Sequence, residues 1–202
     1  MLDEVILWIY DRSPEIIATI AGLLYIVYSV ERNLLLWPYG IISSAIFVYV
    51  FYISGIYADM GLYIYYVVIG FYGWYHWGKG RGSKGGTGIR VKKTSMGLLV
   101  RLTLFTTACY FIVLFLLKKY TDSTIPYLDS FTTALSITAT WMLTQKYLEH
   151  WVLWVVVDSV SIGLYFYKEL YPSIILFAVY TILSVTGYIQ WEKEWKNTTA
   201  TR

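Results

Sequence analysis

Charge is scarce in this chain. Only 14% of its 202 residues are Asp, Glu, Lys or Arg, against about 25% in ordinary soluble domains, and the mean hydropathy is +0.54. Those values exclude a water-soluble globular protein. Cysteine is nearly absent: the single Cys109 rules out a disulfide framework and reads as a small packing residue within its span. Four prolines and no long polar insertion leave no room for a second, soluble domain, so the chain reads as one domain. Its two histidines, His76 and His150, lie far apart without acidic or thiol companions, so no metal, haem or other cofactor is expected.

Long apolar runs fill the space that charge leaves. A hydrocarbon layer roughly 30 Å thick takes about 20 mostly apolar residues per helical crossing. Seven runs qualify, near Ile16–Val30, Leu34–Ile53, Met60–Trp77, Gly97–Leu117, Ser130–Leu148, Trp151–Tyr167 and Ile174–Trp191. The expectation is an all-α membrane protein of seven transmembrane helices. Residues 1–15 mix Leu2, Val5, Ile6, Trp8 and Ile9 with Asp3, Glu4, Asp11 and Arg12, which suits a helix lying in the headgroup plane. Their acidic start, with no small-residue cleavage site after it, argues against a signal peptide.

Basic residues in short loops stay on the cytoplasmic side. Arg32, Lys79, Arg81, Lys84, Arg90, Lys92, Lys93, Lys146, Lys193, Lys196 and Arg202 fall on one face of this topology, and Arg12, Lys118, Lys119 and Lys168 on the other. The N-terminus is therefore expected outside and the C-terminus inside. The net charge of +3 reflects attraction to anionic inner-leaflet lipid, and no nucleic-acid partner is expected. Residues 80–85, GRGSKG, match a dinucleotide-loop pattern letter by letter, but they follow a membrane helix and read as a flexible linker. Asn197 opens an acceptor pattern for glycosylation that this topology places inside.

Sliding the chain against itself reveals a repeat. At a constant offset of 114, Leu34, Trp37, Tyr57, Leu62, Tyr66, Gly73 and Trp77 meet Leu148, Trp151, Tyr171, Leu176, Tyr180, Gly187 and Trp191. Residues 16–77 then form one three-helix unit and residues 130–191 a second, with 97–117 as a linker helix. One intervening crossing gives both units the same orientation, a 3+1+3 plan of parallel repeats that places a substrate site between the halves. A seven-span light sensor is excluded, because the last span holds no lysine for a Schiff base. The tryptophans at the span ends, Trp37, Trp77, Trp151 and Trp191, are expected as interface anchors.

Between His150 and Lys168 the only ionisable side chain other than tyrosine is Asp158. A carboxylate in hydrocarbon costs about 2.5–3.5 kcal/mol or more, so it should face the bundle or a wet cavity and have a partner. Trp154, Asp158, Ser161 and Tyr165 share one helical stripe, which suits a flat cation. Thr133, Ser136, Thr140 and Thr144 form a hydroxyl stripe on the fifth span, fitted to a sugar or hydroxyethyl group or to close helix packing. Tyr180 and Ser184 share a side of the last span. No Lys or Arg lies at mid-span, so nothing there neutralises a phosphate.

The segments LLWPYGIISS, GFYGWYHW with its basic loop, HWVLWVVVD and KELYPSIILFAVYTILSVTGYIQW resemble the PnuC family of bacterial vitamin transporters, over nearly the whole chain. The resemblance implies a full-length relative of the SWEET fold, a homotrimer in the bacterial inner membrane. It implies facilitated diffusion of an unphosphorylated vitamin: nicotinamide riboside is the family's best-known substrate and relatives carry thiamine or riboflavin, of which neutral riboflavin is favoured least by the carboxylate of Asp158. It also implies a transporter rather than an intramembrane enzyme. Trp37, Ser44 and Tyr66 of the first unit join the second unit's residues as candidates for substrate contact.

Overall fold

The computed structural model describes residues 13–55, 57–79, 90–167 and 171–200. Most of the expected interfacial helix and the GRGSKG loop lie outside the described residues. Seven helices are found among them: α1 (Ser13–Val30), α2 (Leu36–Ile53), α3 (Tyr57–Lys79), α4 (Met96–Tyr120), α5 (Pro126–Thr144), α6 (His150–Tyr167) and α7 (Tyr171–Ala200). There is no strand among the described residues beyond an isolated bridge between Lys92 and Tyr147. Four helices, α1, α2, α4 and α7, are by themselves long and apolar enough to cross a membrane. The other three are α3, with its many tyrosines, α5, with its hydroxyls, and the shorter α6, which carries Asp158.

The chain divides into two compact units, residues 1–74 and 75–202, with the boundary inside α3. In the first unit, α1 packs on α2. Small residues make the approach possible, as expected where lipid is as apolar as leucine and close packing must supply the attraction. Ala18 and Ala21 are buried, Ser43 Oγ donates to the Ala18 carbonyl at 2.8 Å, and Gly40 receives the Tyr25 ring. A Cβ on Gly40 would stand 2.8 Å from Tyr25 Cδ2.

In the second unit α4 packs on α5, α5 on α6 and α6 on α7. Ser95 caps α4, its Oγ accepting from Leu98 N at 3.4 Å. The segment before it is tied to the α5–α6 turn: Lys92 N donates to the Lys146 carbonyl at 3.1 Å and Leu148 N to the Lys92 carbonyl at 2.9 Å. Thr94 adds its N and Oγ1, both donating to Glu149 Oε2, at 3.0 and 2.6 Å. The helix α7 continues past Trp191, where the apolar run ends, for residues rich in Glu and Lys; Glu192 and Lys196 pair across one turn at 3.2 Å.

The offset of 114 reappears in the geometry of each unit taken by itself. Arg32 and Lys146, at equivalent turns, both adopt left-handed backbone, with φ of 57° and 55°. Arg32 N donates to the Ser29 carbonyl and Asn33 N to that of Tyr28; Lys146 N donates to the Leu143 carbonyl and Tyr147 N to that of Met142. All four pairs obey the same offset. Gly73 faces the Trp37 ring, and Gly187 faces the Trp151 ring.

Those rings correct one expectation. Trp37 and Trp151 are each only 2% exposed, and Trp77 and Trp191 are buried as well. None of the four is an interface anchor. Each is drawn inward because a glycine or a neighbouring ring accepts it, and complete burial of an indole is worth more than a place among headgroups. Trp77, in the last turn of α3, donates Nε1–H to the Thr144 carbonyl at 3.0 Å, while Lys146 Nζ lies 4.0 Å over its ring. That bond satisfies a carbonyl at the end of α5. Trp77→Phe removes this donor and also leaves a smaller ring in a buried place, so the protein should lose about 2–3 kcal/mol from the hydrogen bond and the void together, measurable as an earlier thermal midpoint in detergent.

Candidate functional site

Helix α6 places Asp158 on the face that meets α7, and there Ser184 Oγ donates to Asp158 Oδ2 at 3.3 Å. The acid is 3% exposed and the serine fully buried. A hydroxyl partner makes the carboxyl tolerable in this setting but brings no positive charge. Two turns along α6, Tyr165 stacks on Phe177 of α7, with ring centres 5.1 Å apart and planes at 26°. Phe177 in turn meets Tyr180 edge to face, at 5.8 Å and 79°. Three half-buried rings and one acid therefore line the α6–α7 seam. Such a seam offers the two things a flat cation would need, ring faces and a carboxylate, and a good cation–ring contact is worth about 0.5–2 kcal/mol.

Most of the residues expected at the site on α6 and α7 are close enough to act together. Ser161 is buried one turn from Asp158, and Trp154 is half-buried on the same stripe. Phe177 was missed by sequence reasoning, since a phenylalanine in an apolar span carries no signal of its own. Its spacing of three from Tyr180 was the available clue.

The hydroxyl stripe of α5 is less open than its composition suggests. Thr140 Oγ1 donates to the Ser136 carbonyl at 2.8 Å and Thr144 Oγ1 to the Trp141 carbonyl at 2.7 Å. Their protons are spent on their own helix, which leaves lone pairs to offer. Ser136 is buried and Thr133 half-buried. Thr138, outside the stripe, is the hydroxyl that reaches a neighbour, sharing a bond of 2.7 Å with Thr106 of α4.

In the first unit Trp37 is committed to Gly73, Ser44 is buried on α2 and Tyr66 stands edge to face with Tyr63 at 5.4 Å. His150 is fully buried. Its Nδ1 lies 2.7 Å from the Tyr147 carbonyl, which only accepts, so the imidazole carries its proton there. No group of three or more His, Cys, Asp or Glu suited to a metal occurs among the described residues. An apolar cleft of about 290 Å³ lined by Ile125, Leu128, Val160, Gly163 and Leu164 includes none of the polar candidates.

A family model described as "Nicotinamide mononucleotide transporter" matches residues 13–193. The chain belongs to this family. It is a multi-pass membrane protein of the family's helical fold: the crystal structure titled "Crystal structure of the Vitamin B3 transporter PnuC" superimposes with a TM-score of 0.76 at 25% identity, over 96% of this chain and 87% of that one. A nicotinamide riboside transporter PnuC from Neisseria mucosa is 29% identical over 187 residues, covering 88% of this chain and 71% of the relative. A riboflavin/roseoflavin transporter, RibM, from Streptomyces davaonensis is 24% identical over 195 residues, covering 95% and 87%. Within one family, then, the similar proteins bear the names of different vitamins.

Proposed function

We propose that this protein is a transporter, not an enzyme, which moves an unphosphorylated B vitamin by facilitated diffusion across a bacterial inner membrane, with nicotinamide riboside as its first substrate. The observation that carries this reading is Asp158, buried on the α6–α7 seam that also holds Tyr165, Phe177 and Tyr180, with a neutral serine as its bonded partner. Nicotinamide riboside brings a flat ring with a permanent positive charge, which fits both the acid and the rings. The names of the PnuC relatives support the same substrate.

Thiamine also carries a flat cationic ring and is the second reading on the same observation. Uncharged riboflavin, the substrate in RibM's name, gains least from a carboxylate and ranks third. A nucleotide ranks below all three despite the family's description, because Lys and Arg are missing from the central parts of the spans and a phosphate would lie there uncompensated.

Seven crossings in a 3+1+3 arrangement complete the proposal, with α1–α3 and α5–α7 as copies, α4 as linker, the N-terminus outside and the C-terminus inside. The matching turns at Arg32 and Lys146 support the copies. A homotrimer is proposed as the working assembly, to be checked by light scattering of the protein in detergent; a monomer would refute it. Passive exchange fits a site with one acid and no relay of further acids along it.

The decisive test is calorimetric titration of the purified protein with nicotinamide riboside, thiamine and riboflavin. Binding should be strongest for nicotinamide riboside and weakest for riboflavin. Riboflavin binding more tightly than both cations would overturn the role given to Asp158.

A further inference from the structure

The segment before α4 carries Arg90, Lys92 and Lys93, and α3 ends on Lys79. All four cations are exposed, yet the strap that bears them is fixed. Lys92 makes two main-chain bonds to the α5–α6 turn, and Thr94 is bonded twice to Glu149. Each lysine also rests on a ring: Lys79 Nζ lies 4.7 Å over Tyr75, Lys92 Nζ 4.8 Å over Tyr147 and Lys93 Nζ 4.2 Å over Trp195 of α7. The charges of Lys79 and Lys92 both reach His76, so they gather at one end of the second unit.

Counter-charge is what this end lacks. Among the described residues none of the four pairs with a carboxylate, and Glu149, which is tied to the strap, accepts from Thr94 instead. Helix electrostatics account for Lys79, at the end of α3, but not for the others. Lys92 and Lys93 precede the first turn of α4, which holds no acid, and the positive end of a helix disfavours cations there. The far end of α4 shows the ordinary case: Lys118 and Lys119 lie in its last turn, where the dipole favours them, and Lys118 Nζ donates to the Tyr127 hydroxyl at 2.6 Å.

Cations already held on rings and a fixed strap lose little further freedom in taking an anion. We infer that Lys79, Arg90, Lys92 and Lys93 form a binding surface for phosphate, presented by an anionic lipid headgroup or as the free anion. Lipid is the source the surroundings favour. Met96, Leu99 and Val100, the next residues along α4, are exposed and apolar, so the cations stand at the rim of a surface made for acyl chains, where a headgroup lies.

Full-length protein in detergent is titrated at constant ionic strength with dihexanoyl phosphatidylglycerol, with the matching phosphatidylcholine and with inorganic phosphate, and its thermal midpoint is followed. The phosphatidylglycerol should raise the midpoint, and the phosphatidylcholine should not. Lys92→Gln and Lys93→Gln should each raise the lipid concentration needed for half the effect about fivefold, whereas Lys119→Gln, the same loss of charge at the far end of α4, should leave it within about twofold.

Inorganic phosphate reproducing the stabilisation, with the same dependence on Lys92 and Lys93, would uphold the surface and make the free anion its ligand. No stabilisation by either anion beyond that of the phosphatidylcholine would overturn it. An equal loss in Lys119→Gln would overturn it too, by showing only a general attraction between opposite charges. Should a lysine variant fail to fold, Arg90→Gln decides by the same shift, and an unshifted titration there would refute the surface. No vitamin enters the experiment, so every outcome leaves the transporter reading where it stands.

Discussion

Asp158→Asn should weaken the binding of nicotinamide riboside or thiamine tenfold or more, equivalent to about 1.4 kcal/mol, and leave riboflavin within about twofold. Asparagine has nearly the same shape, and its carbonyl can still accept from Ser184, so the fold keeps its contact across the α6–α7 seam. What it loses is the charge. In a site screened from water one charge facing a cationic ring outweighs the stacking that remains. Calorimetry on the purified variant checks this, with riboflavin as the internal control. Equal weakening of all three vitamins would point to a collapsed seam instead of a missing charge. Unchanged cation affinity would remove the ion pair.

The second large effect is structural and changes sign with position. Gly73→Ala would place a Cβ 2.2 Å from the Trp37 ring, and Gly187→Ala one 2.5 Å from that of Trp151. Both indoles are enclosed and have nowhere to go. Alanine is the better helix former by about 1 kcal/mol, but overpacking a rigid core typically costs about 1–3 kcal/mol, occasionally more, and an overlap this deep belongs at the upper end. Each variant should therefore be destabilised by about 2 kcal/mol, Gly73→Ala the more severely. Gly163→Ala supplies the contrast, because nothing stands within 4 Å of its Cβ position: there the propensity gain should survive and the thermal midpoint should rise slightly. Midpoints of all three in detergent test the argument, and a Gly187→Ala protein as stable as the parent would refute the Trp151 packing described here.

These two expectations show where the sequence was informative and where it was not. Helices were legible because a bilayer demands long apolar runs, and the offset of 114 was legible because glycine and tryptophan are rarely interchangeable where a ring must enter a neighbouring helix. The sequence did not reveal that these tryptophans lie inside. A tryptophan at the end of a span looks the same whether it faces headgroups or a glycine on the next helix, and the choice depends on packing partners 36 residues away, such as Gly73 and Trp37.

Asp158 was legible as an anomaly of charge; its partner Ser184 was legible only as a face of the last helix, and Phe177 only through its spacing of three from Tyr180. The left-handed turns at Arg32 and Lys146 also escaped, since lysine and arginine are not the residues that ordinarily mark such backbone. The strap from Lys92 to Thr94 is a tertiary feature with no local signature, held by backbone bonds to the α5–α6 turn and by Glu149. The extension of α7 to Ala200 was hidden by a membrane criterion, which ends a span where polarity begins, although the helix continues on propensity and an ion pair.

Everything functional in this account depends on a cationic ring meeting a buried acid among aromatic side chains. The most direct measurement is a density map of the protein with nicotinamide riboside bound. The account predicts the pyridinium within ion-pairing reach of the Asp158 carboxylate, with its face against Tyr165, Phe177 or Tyr180. A ring seated away from that seam, with Asp158 still bonded only to Ser184, would contradict it.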